Sequence, residues 1–80
     1  MLSKLKTDNK VVGTKQVKRA LNSKEVEAVF IAKDAESKIT DEIVEICNEK
    51  QVQVVYVDTM KELGNACGID VNAATAALLK

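Results

Sequence analysis

Apolar positions along this chain change their spacing from segment to segment, and each change marks a boundary. Val11-Val12 is a short apolar pair that stops at Gly13 and reads as a brief strand. Thr14 follows as the N-cap of a helix running to about Leu21 or Asn22, in which Val17, Ala20 and Leu21 share one face at i, i+3, i+4 spacing. Val26 to Ala32 reads V-E-A-V-F-I-A, apolar on nearly both sides, as expected of a strand in the centre of a covered sheet. From about Ser37 to Lys50, Ile39, Ile43, Ile46 and Cys47 predict an amphipathic helix, and Asp41 and Glu42 near its start suit the helix dipole. Val52 to Val57 predicts a second buried strand. Thr59-Met60-Lys61-Glu62 has the form of a capping box, with Glu62 placed to reach back to the Thr59 amide. Met60, Leu63 and Cys67 line the buried side of the helix it opens, and Gly68 stops that helix.

The last segment is ambiguous on pattern alone. Asn72 followed by Ala73-Ala74-Thr75-Ala76-Ala77-Leu78-Leu79 has the propensity of a capped helix, yet the same small residues suit a strand closely overlaid by helices. The alternation of strands and helices before it places the chain in the α/β class, with helices on both faces of a sheet that would want one more strand.

At 80 residues the chain supports a single core, so residues 1–80 are read as one domain. Proline is absent and there are three glycines, which excludes linker-like and collagen-like sequence. No apolar run approaches the roughly 18 residues that span a bilayer, and the N-terminus lacks the hydrophobic block of a secretory signal. A cytoplasmic protein without membrane contact is expected. Histidine and tryptophan do not occur, which removes histidine acid–base catalysis, histidine metal ligands and serine–histidine triads. Cys47 and Cys67 stand twenty positions apart and form no CxxC pair. The plainer reading is two reduced, buried thiols, the alternatives being a disulfide or a thiol nucleophile. An enzyme built on them has no Gly-rich phosphate loop to support it. No catalytic residue, metal or cofactor is expected.

Net charge is zero, but the charge is unevenly distributed. Up to Lys33 there are eight basic residues against three acidic ones; from Asp34 to Asp58 there are seven acidic against two basic. This predicts a molecule with one anion-seeking side, or else two solvated helix faces of opposite sign. At about 100° per residue, Lys15, Lys18 and Arg19 fall within one arc of the first helix, opposite Val17 and Leu21.

Three stretches taken together carry a resemblance. They are Gly13-Thr14-Lys15-Gln16-Val17-Lys18-Arg19-Ala20-Leu21, Ala32-Lys33-Asp34-Ala35, and Lys61-Glu62-Leu63-Gly64-Asn65-Ala66-Cys67-Gly68-Ile69-Asp70-Val71-Asn72-Ala73-Ala74. In order and spacing they resemble the ribosomal-protein family called L-seven-Ae/L-thirty-e, whose members bind kink-turn RNA. The likeness is strongest to its short bacterial, YbxF-like members and covers essentially the whole chain. The resemblance implies a three-layer α/β/α sandwich around a four-stranded mixed sheet, in which Ala73 to Leu79 becomes a strand against its propensity. It also implies an N-terminal helix, shorter here than in many relatives. The family's RNA surface joins the start of its second helix, here Gly13, Thr14, Lys15, Gln16 and Arg19, to the loop after its last helix, here Gly68, Ile69, Asp70 and Val71. Lys33 lies in a neighbouring loop. Strong binders in the family carry Asn-Glu where Lys15-Gln16 stands, whereas its short bacterial members also show Lys-Gln.

The residues can supply what kinked RNA asks for. A regular A-form duplex hides its bases in a deep, narrow major groove, and a sharp kink opens that groove and splays a nucleotide outward. Lys15, Lys18 and Arg19 with the helix N-terminus address phosphates. Gly13 allows close approach of the RNA backbone. Gln16 offers both a donor and an acceptor to a base edge, and the Arg19 fork can grip a phosphate or a guanine edge. Ile69 and Val71 alternate, so one can be core while the other meets an unstacked base. Phe30 and Tyr56, the only aromatics, both fall in buried-strand patterns, which argues against aromatic stacking as the mode of binding. The expectation is a monomeric, non-enzymatic protein that binds kink-turn RNA, in ribosomal RNA or a messenger leader, with the ribosome as a further candidate partner. The alternative is a structural or interaction module of the ribosome without kink-turn binding.

Overall fold

The computed structural model describes residues 9–23 and 26–80. The N-terminal helix implied by the resemblance, and Lys4, Lys6, Asp8, Lys24 and Glu25 of the charge reading, lie outside the described residues. In chain order the elements are β1 (Lys10–Val12), α1 (Thr14–Ser23), β2 (Val26–Ala32), α2 (Ser37–Lys50), β3 (Gln53–Val57), α3 (Met60–Ala66) and β4 (Thr75–Leu79). The four strands form one sheet in the order β1-β4-β2-β3. β4 runs antiparallel to both neighbours, with Val11 opposite Ala77 and Phe30 opposite Ala76, while β2 and β3 are parallel, with Ile31 beside Tyr56. The sheet is therefore mixed, as the resemblance implied.

Side chains of alternate parity on β2 and β4 fill two separate cores. On one face Val29, Ile31 and Ala77 meet Val17, Ala20 and Leu21 of α1 and Ile43 and Cys47 of α2. On the other, Phe30, Ala76 and Leu78 meet Leu63 and Cys67 at α3. Helices on both faces make the three-layer sandwich. A bulge between Val26 and Ala28 changes the parity of β2, so that Val26 and Val29 share a face three positions apart. β4 is a strand because its position decides: it is hydrogen-bonded on both edges and covered on both faces, and burial there overrides the helical preference of its alanines. Ala76 and Ala77 are both fully buried, one toward each helical layer.

Several local expectations are corrected by this packing. Tyr56 is 54% exposed, not buried, because β3 is an edge strand with a neighbour on one side only. Strand β3 itself begins at Gln53, and only Val57 within it is buried. In α2 the row facing the sheet is Thr40, Ile43 and Cys47, which turns Ile39 outward to 37% exposure. Thr40 tolerates burial because its hydroxyl donates to the Glu36 and Ser37 carbonyls. Asp41 and Glu42 fall in the second turn of α2, beyond the reach of the dipole argument. The box at α3 is half formed. Thr59 Oγ1 accepts from the Glu62 N–H at 3.0 Å, but the Glu62 carboxylate makes no return bond to the Thr59 amide among the described residues. The Asp34 carboxylate, 26 positions upstream, instead takes the Met60 N–H at 2.7 Å.

The small size of β4 can be tested. Ala77→Leu adds three carbons where α1 and α2 close on the sheet, and overpacking of this kind destabilises by about 1–3 kcal/mol. A lower urea midpoint at unchanged slope is expected. An unchanged midpoint would mean that the helices are not pressed onto β4.

Candidate nucleic-acid interface

Several loops gather at one end of the sheet, where β1, β2 and β3 finish and β4 begins. Backbone hydrogen bonds lace them together: Gly13 N–H to the Thr75 carbonyl at 2.9 Å, Ala32 N–H to Ala74 at 3.0 Å, and Lys33 N–H to Val57 at 2.7 Å. The start of α1 is thus tied to the strand that emerges from the loop following α3.

Gly13 makes this junction possible. Its φ of +104° lies where side chains are rarely tolerated, and nothing stands within 4 Å of where a Cβ would be. Its carbonyl accepts the Val17 N–H at 2.9 Å, so Gly13 rather than Thr14 occupies the cap position. Thr14 is the first helical residue, and its hydroxyl receives that of the buried Thr75 at 3.5 Å. This leaves the first-turn amides of α1 without an intrahelical partner, beside the exposed Lys15 and Gln16, with the exposed Arg19 one turn on.

Lys18 does not join that crest. It sits on the flank of α1 toward α2, and its Nζ lies 2.8 Å from Glu42 Oε1. The anticipated arc of three cations is two exposed cations and one that is paired. Lys33 is exposed at the same end of the sheet, with Nζ 3.4 Å from Asp58 Oδ1. The basic and acidic segments do not form opposite sides of the molecule, because α1 and α2 pack against each other on one face of the sheet.

The loop after α3 is built by tight turns. Gly68, at φ +77°, donates to the Asn65 carbonyl at 3.0 Å, and Ile69 N–H donates to Gly64 at 3.1 Å. Ile69 packs against the α3-side core, Asp70 is exposed, and Val71 stands 66% exposed. The alternation between Ile69 and Val71 is therefore resolved, with Ile69 inward and Val71 outward. Gly64 holds the loop down: a Cβ there would collide with the Val71 carbonyl oxygen. Ala73 N–H closes the loop onto the Met60 carbonyl at 3.0 Å.

Sequence reasoning missed three contributors. Gly64 and Asp34 lay inside recognised stretches, but a close helix–loop approach and a cap from a distant carboxylate leave no periodic signal. Thr75 sat in the ambiguous segment. Tyr56 is an exposed aromatic, but it stands at the far edge of the sheet. Three strand spacings, roughly 14 Å, separate β3 from β1, so it is not part of this surface. Both cysteines are buried and free. Burial raises their thiol pKa, offset in part at Cys67 by the charge of Lys10. Among the described residues no group of three potential metal ligands comes together, and no helix is long and apolar enough to cross a membrane.

A three-layer α/β/α domain whose loop end combines a basic helix start with an apolar loop tip defines a class of compact scaffold with one differentiated end. A family model described as "Ribosomal protein L7Ae/L30e/S12e/Gadd45 family" matches residues 1–80, and the chain belongs to that family. An RNA-binding protein of Caldanaerobacter subterraneus is 56% identical over 68 residues, 85% of this chain and 83% of the relative. The RNA-binding protein YbxF of Geobacillus stearothermophilus is 46% identical over 70 residues, 88% of this chain and 85% of the relative. Among solved structures, a 15.5 kD RNA-binding protein of Giardia lamblia superposes with a TM-score of 0.90 at 26% identity, over 99% of this chain and 70% of that one.

Two outcomes follow from this geometry. In an exposed helix, Gly→Ala stabilises by about 1 kcal/mol. At Gly64 the collision with the Val71 backbone reverses the sign, so Gly64→Ala lowers the urea midpoint; a raised midpoint would refute the contact. The thiols give the second. With both folded pKa values above the unfolded one, the native state holds its thiol protons while the unfolded state loses them. Stability is therefore retained at neutral pH and declines as pH rises through and beyond the ordinary thiol range. A thiol reagent at pH 8 should label Cys47 and Cys67 only as fast as the protein opens; rapid labelling of the native protein would contradict their burial.

Proposed function

We propose that this chain is a non-enzymatic RNA-binding protein that recognises kink-turn RNA or a similarly kinked internal loop, acting as a cytoplasmic monomer without a cofactor. The observation that carries the reading is the juxtaposition at one end of the sheet. The free amides, Lys15, Gln16 and Arg19 of α1 are tied through Gly13 and Thr75 to a loop that presents Val71 to solvent. The relatives named as RNA-binding proteins support it.

The division of labour follows from chemistry. Free amides and a positive helix end attract phosphate. The Arg19 guanidinium forms paired bonds to a phosphate or a guanine edge. Gln16 reads a base edge as both donor and acceptor. Val71 covers the face of a nucleotide that the kink has unstacked. Asp70 beside it repels phosphate, which suits a loop that meets a base and not a backbone. Gly68 and Ile69 shape that loop, Thr14 fixes the helix start, and Lys33 and Lys18 stand at the margins, each beside a carboxylate.

A gel-shift titration at fixed salt tests the reading. RNA with a kink built on tandem G·A pairs should bind more tightly than an uninterrupted duplex of equal length; equal affinity would sink it. Arg19→Ala should weaken kinked-RNA binding by roughly 1–3 kcal/mol. If the lost contact is to phosphate, it should also flatten log affinity against log salt by about 0.7–0.9. Val71→Ser should weaken binding with the salt slope unchanged, since no phosphate contact is lost. Parent-like binding by folded Val71→Ser would remove the loop from the interface.

A further inference from the structure

Two of the four cations assigned to this surface are already paired with carboxylates. Lys18 meets Glu42 across the α1–α2 seam, with the lysine side chain 35% exposed. Lys33 meets Asp58 between the loops that end β2 and β3. Lys33–Asp58 joins loops that the Lys33 N–H to Val57 carbonyl bond already fixes, Lys18–Glu42 joins helices already packed through the core, and pairs this exposed contribute little to stability. Their effect falls on charge. A lysine held 2.8 Å from a carboxylate presents a largely cancelled field to a phosphate several ångströms beyond it. Lys15 and Arg19, on the crest of α1, make no ion pair among the described residues.

We propose that Glu42 and Asp58 are specificity-determining residues: they occupy Lys18 and Lys33 as internal substitutes for phosphate and so lower the protein's attraction to RNA that is not kinked. The inference rests on the RNA-binding reading above. Electrostatic attraction to phosphate is common to all RNA and supplies essentially all of non-specific binding. Four unopposed cations on one end of an 80-residue protein would grip a plain duplex as well as a kink. Cancelling the two on the margins leaves Lys15 and Arg19, whose use depends on a backbone placed against the start of α1 while a base reaches Val71. Specificity gained by opposing the wrong ligand, at some loss of total affinity, is a general device of recognition surfaces.

The test compares Glu42→Gln, Asp58→Asn and the double variant with the parent on a kinked RNA and on a duplex of equal length, each over a range of salt concentrations. Glu45→Gln makes the same change in charge on the same helix, but Glu45 has no cationic partner among the described residues, so it controls for net charge. Each released lysine should steepen the duplex salt slope by about 0.7–0.9, which is roughly threefold in affinity for each fourfold drop in salt. The double variant should gain more on duplex than on kinked RNA, and its discrimination should narrow. In a Lys18→Met background, Glu42→Gln should bring no gain, because no cation is left to release. Circular dichroism confirms that each variant is folded. Three results would overturn the proposal: no change in duplex binding, an equal gain from Glu45→Gln, or an equal gain on both RNAs. If the parent itself does not distinguish the two RNAs, it is the functional reading that fails.

Discussion

The placement of Thr75–Leu79 between β1 and β2 is the constraint on which the rest depends. A strand in that position is covered on both faces, by α1 and α2 on one side and by α3 on the other. Ala76 and Ala77 fit there with no exposed surface. The same placement sets the start of β4 beside the end of β1, so the loop leaving α3 has to arrive next to the start of α1. The Gly13–Thr75 hydrogen bond records the meeting point. Two segments more than fifty residues apart in sequence thus form one surface, and they do so because of packing demands in the core.

Most of the layer structure was legible in the pattern of apolar positions. The alternation of strand and helix, the central burial of β2 and the buried row Val17-Ala20-Leu21 are local signals, and they emerge intact. What local signals misjudged was position within the sheet. Val52–Val57 is as apolar as a central strand, yet it lies at an edge, and Tyr56 is exposed for that reason. Ala73–Leu79 has the composition of a helix, yet it is pinned between two strands. Strand order is a property of the whole chain; the resemblance to a family supplied only that Ala73–Leu79 is a strand of a mixed sheet, and the order itself comes from the structure.

The site divided in the same way. Gly68 was readable because helix stops have a chemical signature, and Lys15 and Arg19 because helical spacing sets them opposite Val17 and Leu21. The roles of Gly64 and Asp34 were not, since each acts on a segment that only the fold brings near. Charge was the least transparent layer. A basic segment followed by an acidic one resembles a two-sided molecule on paper, but a right-handed crossover stacks α2 beside α1 on the same face. Proximity then turns a potential field into discrete pairs, and Lys18 and Lys33 are partly neutralised where they stand. Lys15 and Arg19, the two cations of this surface with no ion pair among the described residues, lie beside the polar start of α1.

The central claim is that one end of the sheet, comprising the start of α1 and the loop after α3, meets RNA as a unit. Backbone amide chemical shifts, followed as kinked RNA is added, test it most directly. The account predicts that the largest changes cluster at Gly13–Arg19 and Gly68–Val71 and saturate together, while the outer face of α2 and the Tyr56 edge stay quiet. Changes confined to only one of these segments, or centred at the opposite end of the sheet around Leu21, Lys50 and Val52, would contradict it.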